Sequence, residues 1–212
     1  DNTIYVAQTD TRLWRSNNGG NTFIGLTAPA NITAMTAVDN YTWYVGGVGA
    51  FYKSGRWTNA TGLAGIVVSI ALASDGIFVG NNNGDVFIST DDGRNFSRVG
   101  AQNALGAGNA VRLALDSDYA GNHYIYAAAG SGGLYRFKYG TDAVWLNMDG
   151  NNPRGVATAG GTLYTTSGNK GVGVRRSVYP TFATAGGRNF QSLNNNYAGS
   201  AVFKGGVSVA DG

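Results

Sequence analysis

Apolar positions in this chain fall in short runs separated by Gly-, Asn- and Asp-containing turns. The cleanest run, Ile66-Val67-Val68-Ser69-Ile70-Ala71-Leu72, is too short for an ordinary helix and rich in β-branched side chains, which predicts a strand buried on both faces. Ser74-Asp75-Gly76 then turns the chain, Ile77 to Gly80 reads as a second strand, and Asn81-Asn82-Asn83-Gly84 as a tight hairpin turn. Asp85 to Ser89 alternates polar and apolar positions as a half-exposed strand does. Thr90 to Arg94 forms another turn, and Asn95 to Val99 a fourth, outermost strand.

The same outline recurs along the chain. One unit runs from Ile32 to about Ala64, with Asp39-Asn40 as first turn, Tyr41 to Val45 as second strand and a shortened outer hairpin at Lys53 to Trp57. Another begins at Val111 to Leu115, turns through Asp116 to Asn122, and continues with His123 to Ala129, Gly133 to Phe137 and Ala143 to Leu146. A further unit has Gly155 to Ala159, Thr162 to Thr166, Val172 to Ser177 and an outer strand near Phe190, with an insertion at Val178 to Ala185. At the ends, Val207-Ser208-Val209-Ala210-Asp211-Gly212 copies the first strand and turn of the Val68 to Gly76 stretch, and Asp1 to Ala7 copies the second strand. Joined tail to head they complete one unit, giving about five units of roughly 35 to 50 residues. Pairing of the terminal strands would close a ring and remove exposed sheet edges. The alternative is a segment of a longer array. No linker or composition shift divides residues 1–212, which read as one domain.

A polar signature punctuates the runs. Ser16-x-Asn18-x-Gly20-x-Thr22-Phe23 recurs as Ser89-x-Asp91-x-Gly93-x-Asn95-Phe96, and Gly187-Arg188-Asn189-Phe190 keeps its tail. The Asp or Asn suits acceptance of backbone N–H bonds inside a turn, and the Gly permits positive φ. Ser-x-Asp-x-Gly-x-Thr-Trp/Phe is the Asp-box, or BNR repeat. Leu115-Asp116-Ser117-Asp118-Tyr119-Ala120, followed by Tyr124-Ile125-Tyr126 and Gly133-Leu134-Tyr135-Arg136, is similar to a stretch common in the non-sialidase members. The chain thus resembles the Asp-box β-propellers, a group spanning sialidases, sortilin-type receptors, xyloglucan-cleaving glycosidases and photosystem assembly factors of the Ycf48 type. The resemblance covers nearly the whole chain at the level of units. It implies an all-β propeller of four-stranded antiparallel blades, about five of them. It also implies boxes on the turn between third and fourth strands, away from the ligand face, with their aromatics between neighbouring sheets.

Composition narrows the function. Hydrophobic residues make up 43% and charged residues 13%, which argues against disorder as the general state. A net charge of +3 is too weak for a nucleic-acid surface, and Lys170, Arg175 and Arg176 are the nearest thing to a basic stripe. No apolar run is long enough to span a membrane. Cysteine is absent, which removes thiol catalysis and thiolate metal sites. All 12 acidic residues are Asp, so the Tyr–Glu pair of sialidases has no counterpart, nor has their Phe/Tyr-Arg-Ile-Pro motif. His123, the only histidine, begins a predicted strand without a catalytic motif around it. Asp39, Asp75 and Asp211 occupy equivalent first turns, which points to a repeated structural role, and Asp116 and Asp118 read as solvated turn residues. Asp91 and Asp92 supply too few convergent oxygens for a hard cation. The glycine-rich Gly130 to Gly133 and Gly168 to Gly171 open no helix, so phosphate binding of the usual kind is not supported. No metal or other cofactor is expected.

The expectation is a non-enzymatic extracellular or cell-surface module for recognition or assembly, of surface-layer, filament or adhesin type, with a protein or glycan surface as partner and self-assembly open to it. Binding would use the loops joining fourth to first and second to third strands: Gln8 to Arg12, Gly46 to Ala50, Asn81 to Gly84, Gly130 to Gly133 and Gly168 to Gly171, with Asn81, Asn82, Asn83, Ser131 and Asn169 as contact residues. Asn31, Asn40, Asn59 and Asn95 stand in Asn-x-Ser/Thr triplets and are candidate glycan acceptors in a secreted protein. Two alternatives are a glycoside hydrolase using paired aspartates and an assembly factor of the Ycf48 type.

Overall fold

A computed structural model describes residues 2–8, 12–27, 31–56, 59–169, 172–182 and 190–193. These residues form five antiparallel sheets in chain order. The first holds β1 (Ile4–Ala7), β2 (Arg12–Ser16) and β3 (Ile24–Thr27), and the second β4 (Ala34–Ala37), β5 (Trp43–Gly47) and β6 (Ala50–Lys53). The third holds β7 (Val67–Leu72), β8 (Ile77–Asn81), β9 (Val86–Ser89) and β10 (Ser97–Arg98). The fourth holds β11 (Arg112–Leu115), β12 (Tyr124–Ala128), β13 (Leu134–Lys138) and β14 (Leu146–Asp149). The fifth holds β15 (Pro153–Ala159), β16 (Thr162–Ser167), β17 (Val174–Ser177) and β18 (Gln191–Ser192). Each sheet is a meander. First strands lie side by side: β4 against β7, β7 against β11, β11 against β15.

The central strands of the third and fourth sheets are apolar on both sides because each of these sheets is covered by two neighbours. Successive β8 side chains alternate between seams: Ile77 and Val79 pack toward the second sheet, Phe78 toward the fourth. In β12, Ile125 and Ala127 face the third sheet, while Tyr126 and Ala128 face the fifth. Leu13 meets Ile32, Trp43 and Val45 at the seam between the first and second sheets. Four clusters thus join five sheets in series, one per seam.

Close approach at the seams requires small residues at one position of the second strands. An added Cβ at Gly46 would stand 2.3 Å from Val67 Cγ1, and at Gly80 2.3 Å from the Val111 carbonyl oxygen. The aligned residue of β12 is Ala128, fully buried against the fifth sheet. Side-chain hydroxyls tie neighbouring first strands together, two of them at this depth and one near the other end. Thr33 donates to Val67 O at 2.6 Å, Ser69 to Val111 O at 2.9 Å and Thr158 to Leu115 O at 2.6 Å.

The structure departs from the sequence reading at several outer strands. In the third sheet only Ser97–Arg98 pairs with β9. Asn95 and Phe96 leave the sheet to bridge the segment before β7, with Phe96 N donating to Thr61 O at 3.0 Å. The second sheet has three strands among the described residues, and Asn59 Oδ1 takes the role of a backbone acceptor for Phe51 N at 3.1 Å. The outer strand of the fourth sheet is Leu146–Asp149 rather than Ala143 to Leu146. Its preceding turn extends through Asp142, whose carboxylate accepts from Lys138 N at 2.7 Å, and Trp145 instead donates its indole N–H across the seam to Val99 O. His123 lies outside the strand. It ends the helical turn Tyr119–Asn122 in left-handed conformation, φ 57°. The Val178 to Ala185 insertion carries a short 3-10 turn at Pro180–Phe182, held by Arg136, which donates to the Pro180 and Thr181 carbonyls.

The predicted pairing of Val207 to Ala210 with the N-terminal strand lies outside the described residues, as do Asp211, Lys170 and Gly187 to Asn189. Among the described residues β1 is an edge strand of a three-stranded sheet.

Replacing Gly80 with Ala forces a methyl into the Val111 carbonyl and is expected to lower the unfolding free energy by about 1–3 kcal/mol. Gly150→Ala, where an added Cβ meets nothing within 4 Å, should change it by less than about 0.5 kcal/mol. Urea denaturation of both variants checks the contrast; equal effects would mean that the seam does not require the small residue.

Candidate functional site

The antiparallel meanders give the protein two ends. One, the turn face, carries the links from first to second and from third to fourth strands. The other, the crossing face, carries the links from second to third strands and from one sheet to the next.

The turn face is organised by carboxylates and amides that close turns. In the first punctuation turn Ser16 Oγ accepts from Gly20 N at 2.9 Å, and Asn18 Oδ1 accepts from Thr22 N at 3.0 Å. The second turn repeats this: Ser89 Oγ accepts from Gly93 N at 2.8 Å, and Asp91 Oδ1 from Asn95 N at 2.9 Å. The bond from Asn95 N, followed by those from the Asn95 amide and Ser89 hydroxyl, holds the Asp91 carboxyl well below the ordinary carboxylate range. Asp39 is lowered in the same way by the backbone N–H groups of Tyr41 and Thr42. The two aromatic ends differ. Phe96 is buried edge-on against Phe51 of the second sheet, centroids 4.9 Å apart, whereas Phe23 is 42% exposed.

Three tyrosines donate to aspartates on this face. Tyr44 OH reaches Asp92 at 2.8 Å across the seam between the second and third sheets, and Tyr119 OH reaches Asp75 at 3.0 Å across the next seam. Tyr126 OH reaches Asp116 at 2.7 Å within the fourth sheet. Burial, reinforced by the Asp92 bond and charge, pushes the Tyr44 hydroxyl up to about 12. Burial and their carboxylate partners likewise raise Tyr119 and Tyr126, so all three remain protonated donors. Asp116 is therefore buried and bonded rather than solvated, with Asn122 Nδ2 on its other oxygen at 2.8 Å.

Asp92 occupies the position of Gly19 in the first punctuation turn and, like it, has positive φ (64° and 69°). An aspartate tolerates that conformation better than most side chains. Lys53 Nζ lies 2.7 Å from Asp92 Oδ2 and Arg56 Nη1 3.5 Å from it. Burial alone would raise this carboxyl, but the bonds from Lys53 and Tyr44 and the nearby cations bring it below its ordinary value. Beside it opens a cleft of about 430 Å³ between the second and third sheets, with Asp75, Asp92, Ser89 and Thr90 among its polar walls and Val38, Leu72 and Ile77 among its apolar ones.

The crossing face differs in chemistry. Asn81 is buried, and its amide builds the hairpin: Oδ1 accepts from Asn83 N and Asp85 N at 2.9 Å, and Nδ2 donates to Ala64 O. Asn82 Oδ1 accepts from Ile66 N at 2.7 Å. These two residues belong to the scaffold of the loop rather than to its contact surface. Ser131 and Asn169 are exposed and Asn83 is half-buried. Ser131 Oγ donates to Asn109 Oδ1 at 2.9 Å, a residue the sequence reading did not single out. The two acidic groups described here are buried and ion-paired, Asp85 with Arg98 at 3.2 Å and Asp149 with Arg175. Arg175 thus bridges the seam between the fourth and fifth sheets rather than forming a basic stripe.

Of the candidate glycan acceptors, Asn31 is exposed and Asn40 accepts a bond from the Thr3 hydroxyl. Asn59 Nδ2 donates to Gly49 O at 3.2 Å and Asn95 Nδ2 to Asp91 Oδ2 at 2.6 Å. Among the described residues no group of three or more His, Cys, Asp or Glu is placed to hold a metal ion, and no helix is long and apolar enough to cross a membrane.

No protein-family model matches the chain, and no curated protein does. Solved structures do match. The chain is similar to an ancestral GH74 enzyme at 17% identity and TM-score 0.70, over 94% of this chain and 30% of that one. It is similar to Ycf48 bound to a D1 peptide at 13% identity and TM-score 0.60, over 90% of this chain and 64% of that one. The WD40 β-propeller domain of Doa1 matches at 16% identity and TM-score 0.60, over 85% of this chain and 63% of that one. The chain spans less than two thirds of the length of each. At these identities the likeness shows the fold alone: this is a β-propeller fold.

Because the folded-state pKa of Asp91 is lowered, its ionised form stabilises the fold above about pH 4, and that contribution is lost as the pH falls toward the lowered value. Asn18 makes the equivalent backbone bond without a charge. Asp91→Asn is therefore expected to keep the turn while making Tm less steep in pH below about 4. Thermal melts across that range check this; an unchanged slope would assign the acid sensitivity elsewhere.

Proposed function

We propose that the chain is a non-enzymatic recognition or assembly module of the extracellular or cell-surface type, binding a protein or glycan surface through its crossing face. The observation that carries this reading is the state of the acidic groups there. Asp85 and Asp149 are each buried at 3% exposure and tied to an arginine, so neither is free to act as acid or base. Around them the loops offer amides and hydroxyls, among them Asn83, Asn109, Ser131 and Asn169. The exposed Arg154, beside Gly130 and Gly168, adds a cation to these amides and hydroxyls, so the surface suits polar ligands. The similarity to Ycf48, whose structure holds a D1 peptide, supports peptide or protein recognition as a use of this fold. Glycosylation at Asn31 fits the same setting, since that side chain is exposed.

The finer architecture belongs to the same proposal. The punctuation turns are Asp-boxes, and the five sheets close into a ring by pairing of Val207 to Ala210 with β1. Two features support closure. The first sheet lacks a counterpart of the first strands of the others among the described residues. Its outward face also keeps Val6, Trp14 and Phe23 around a hollow of about 250 Å³, on the side where Phe96 of the third sheet meets its preceding neighbour.

Two measurements test these readings. Incubated with xyloglucan, the chain is expected to release reducing ends at background rate, and Asp85→Asn or Asp149→Asn should lower stability without changing that rate. Release above background that either substitution abolishes would replace recognition by glycoside hydrolysis. For closure, hydrogen exchange of β1 amides is expected to be slow in the full chain and at least about tenfold faster after removal of residues 194–212; equal rates would leave the ring open.

A further inference from the structure

We propose that the turn-face cleft between the second and third sheets is a second binding site, one that takes the lysine or arginine side chain of a partner polypeptide. It stands apart from the crossing face and does not depend on the reading given for that surface.

The cleft pairs a charge with a greasy wall. Val38, Leu72, Ala73 and Ile77 supply apolar surface, and Asp75, with the hydroxyls of Ser74 and Thr90, supplies the polar end. A volume of about 430 Å³ accommodates one or two side chains. The carboxylates on its two sides are not equivalent. Asp92 is met by Lys53, Arg56 and Tyr44. Asp75 accepts from Tyr119 OH at 3.0 Å and lies 3.4 Å from His123 Nδ1, and among the described residues it meets no lysine or arginine. Asp75 thus has no lysine or arginine partner among the described residues, although the chain as a whole is basic. Side chains with a long aliphatic stem and a cationic head match both halves of such a cleft, because the stem lies along apolar surface while the head meets the carboxylate. A neutral sugar would leave the charge unmatched, and Tyr44, at 6% exposure, offers no open ring for stacking.

Among the described residues, Asp92, Lys53 and Arg56 are charged groups on the far side of the cleft, and the Tyr44 and Tyr119 hydroxyls donate to its two carboxylates.

Nuclear magnetic resonance titration of the isotope-labelled chain tests the proposal, with acetylated, amidated tripeptides Gly-Arg-Gly, Gly-Lys-Gly and Gly-citrulline-Gly as probes. Saturable shifts at the Gly76 and Thr90 amides are expected for the cationic peptides with Kd of about 1 mM, weakened about tenfold or more for citrulline, which keeps the shape and loses the charge. Asp75→Asn should weaken the arginine peptide by about tenfold, while Lys53→Gln, which removes one positive charge from the far side of the cleft, should tighten it. Equal shifts with the citrulline peptide, no saturable shift at the cleft, or native-like binding by Asp75→Asn would overturn the proposal. The comparison of the three peptides uses the unaltered protein, so the test stands even if Asp75→Asn fails to fold.

Discussion

The structure depends on how closely one sheet approaches the next. A sheet of three or four short strands cannot bury enough apolar surface by itself, so it must pack against a neighbour. What lets the partners meet is the absence of side-chain bulk at one point of the second strand. Gly46 admits Val67 and Gly80 admits the Val111 carbonyl, in both cases where an added Cβ would come within 2.3 Å of the neighbour. Ala128 keeps the aligned position small at the next seam. Once that contact is made, alternation along β8 and β12 sends successive side chains into different clusters. The backbone hydroxyl bonds of Thr33, Ser69 and Thr158 then fix the depth at which the first strands lie.

Polar chemistry follows from the same geometry. Where two sheets converge, turn residues of one are brought over strands of the other. Tyr44 and Tyr119 thereby reach carboxylates of the third sheet from opposite sides, at Asp92 and Asp75. A tyrosine can bury its ring in the seam while its hydroxyl meets a partly wet carboxylate at the rim. These bonds add directionality to contacts that apolar packing alone leaves free to slide. They also explain why Asp92 keeps a left-handed backbone where the first punctuation turn has Gly19: its side chain is held by Tyr44, Lys53 and Arg56.

The strand pattern was legible because buried strands and turns leave local marks. Ile66 to Leu72 and Ile77 to Gly80 fall within a residue of the observed β7 and β8. Outer strands were less legible, since one face is wet and pairing is decided by distant partners. Asn95 and Phe96 read as strand but bond to Thr61, and nothing local announces that Asp142 will lengthen the turn before β14. The site was hardest to read. Asn81 looked like a polar contact because runs of Asn mark exposed turns, yet its amide is consumed by that turn. The pairing of His123 with Asp75 joins residues from different sheets, and no spacing rule within one unit encodes it. The recurrence of a small residue at Gly46, Gly80 and Ala128 was present in the sequence, and aligning the units on their first turns would have exposed it.

The two faces use charge in opposite ways. On the crossing face the described aspartates Asp85 and Asp149 are neutralised inside the fold by Arg98 and Arg175, and the loops around them present amides, hydroxyls and the exposed Arg154. On the turn face several carboxylates sit at the rim, where backbone N–H groups, tyrosines and cations hold most of them. Asp75 differs in that its partners among the described residues are the Tyr119 hydroxyl and the His123 imidazole, whereas Asp92 is met by a lysine and an arginine. That asymmetry, arising from which residue happens to end the Tyr119–Asn122 turn, is what separates the two carboxylates that flank the cleft between the second and third sheets.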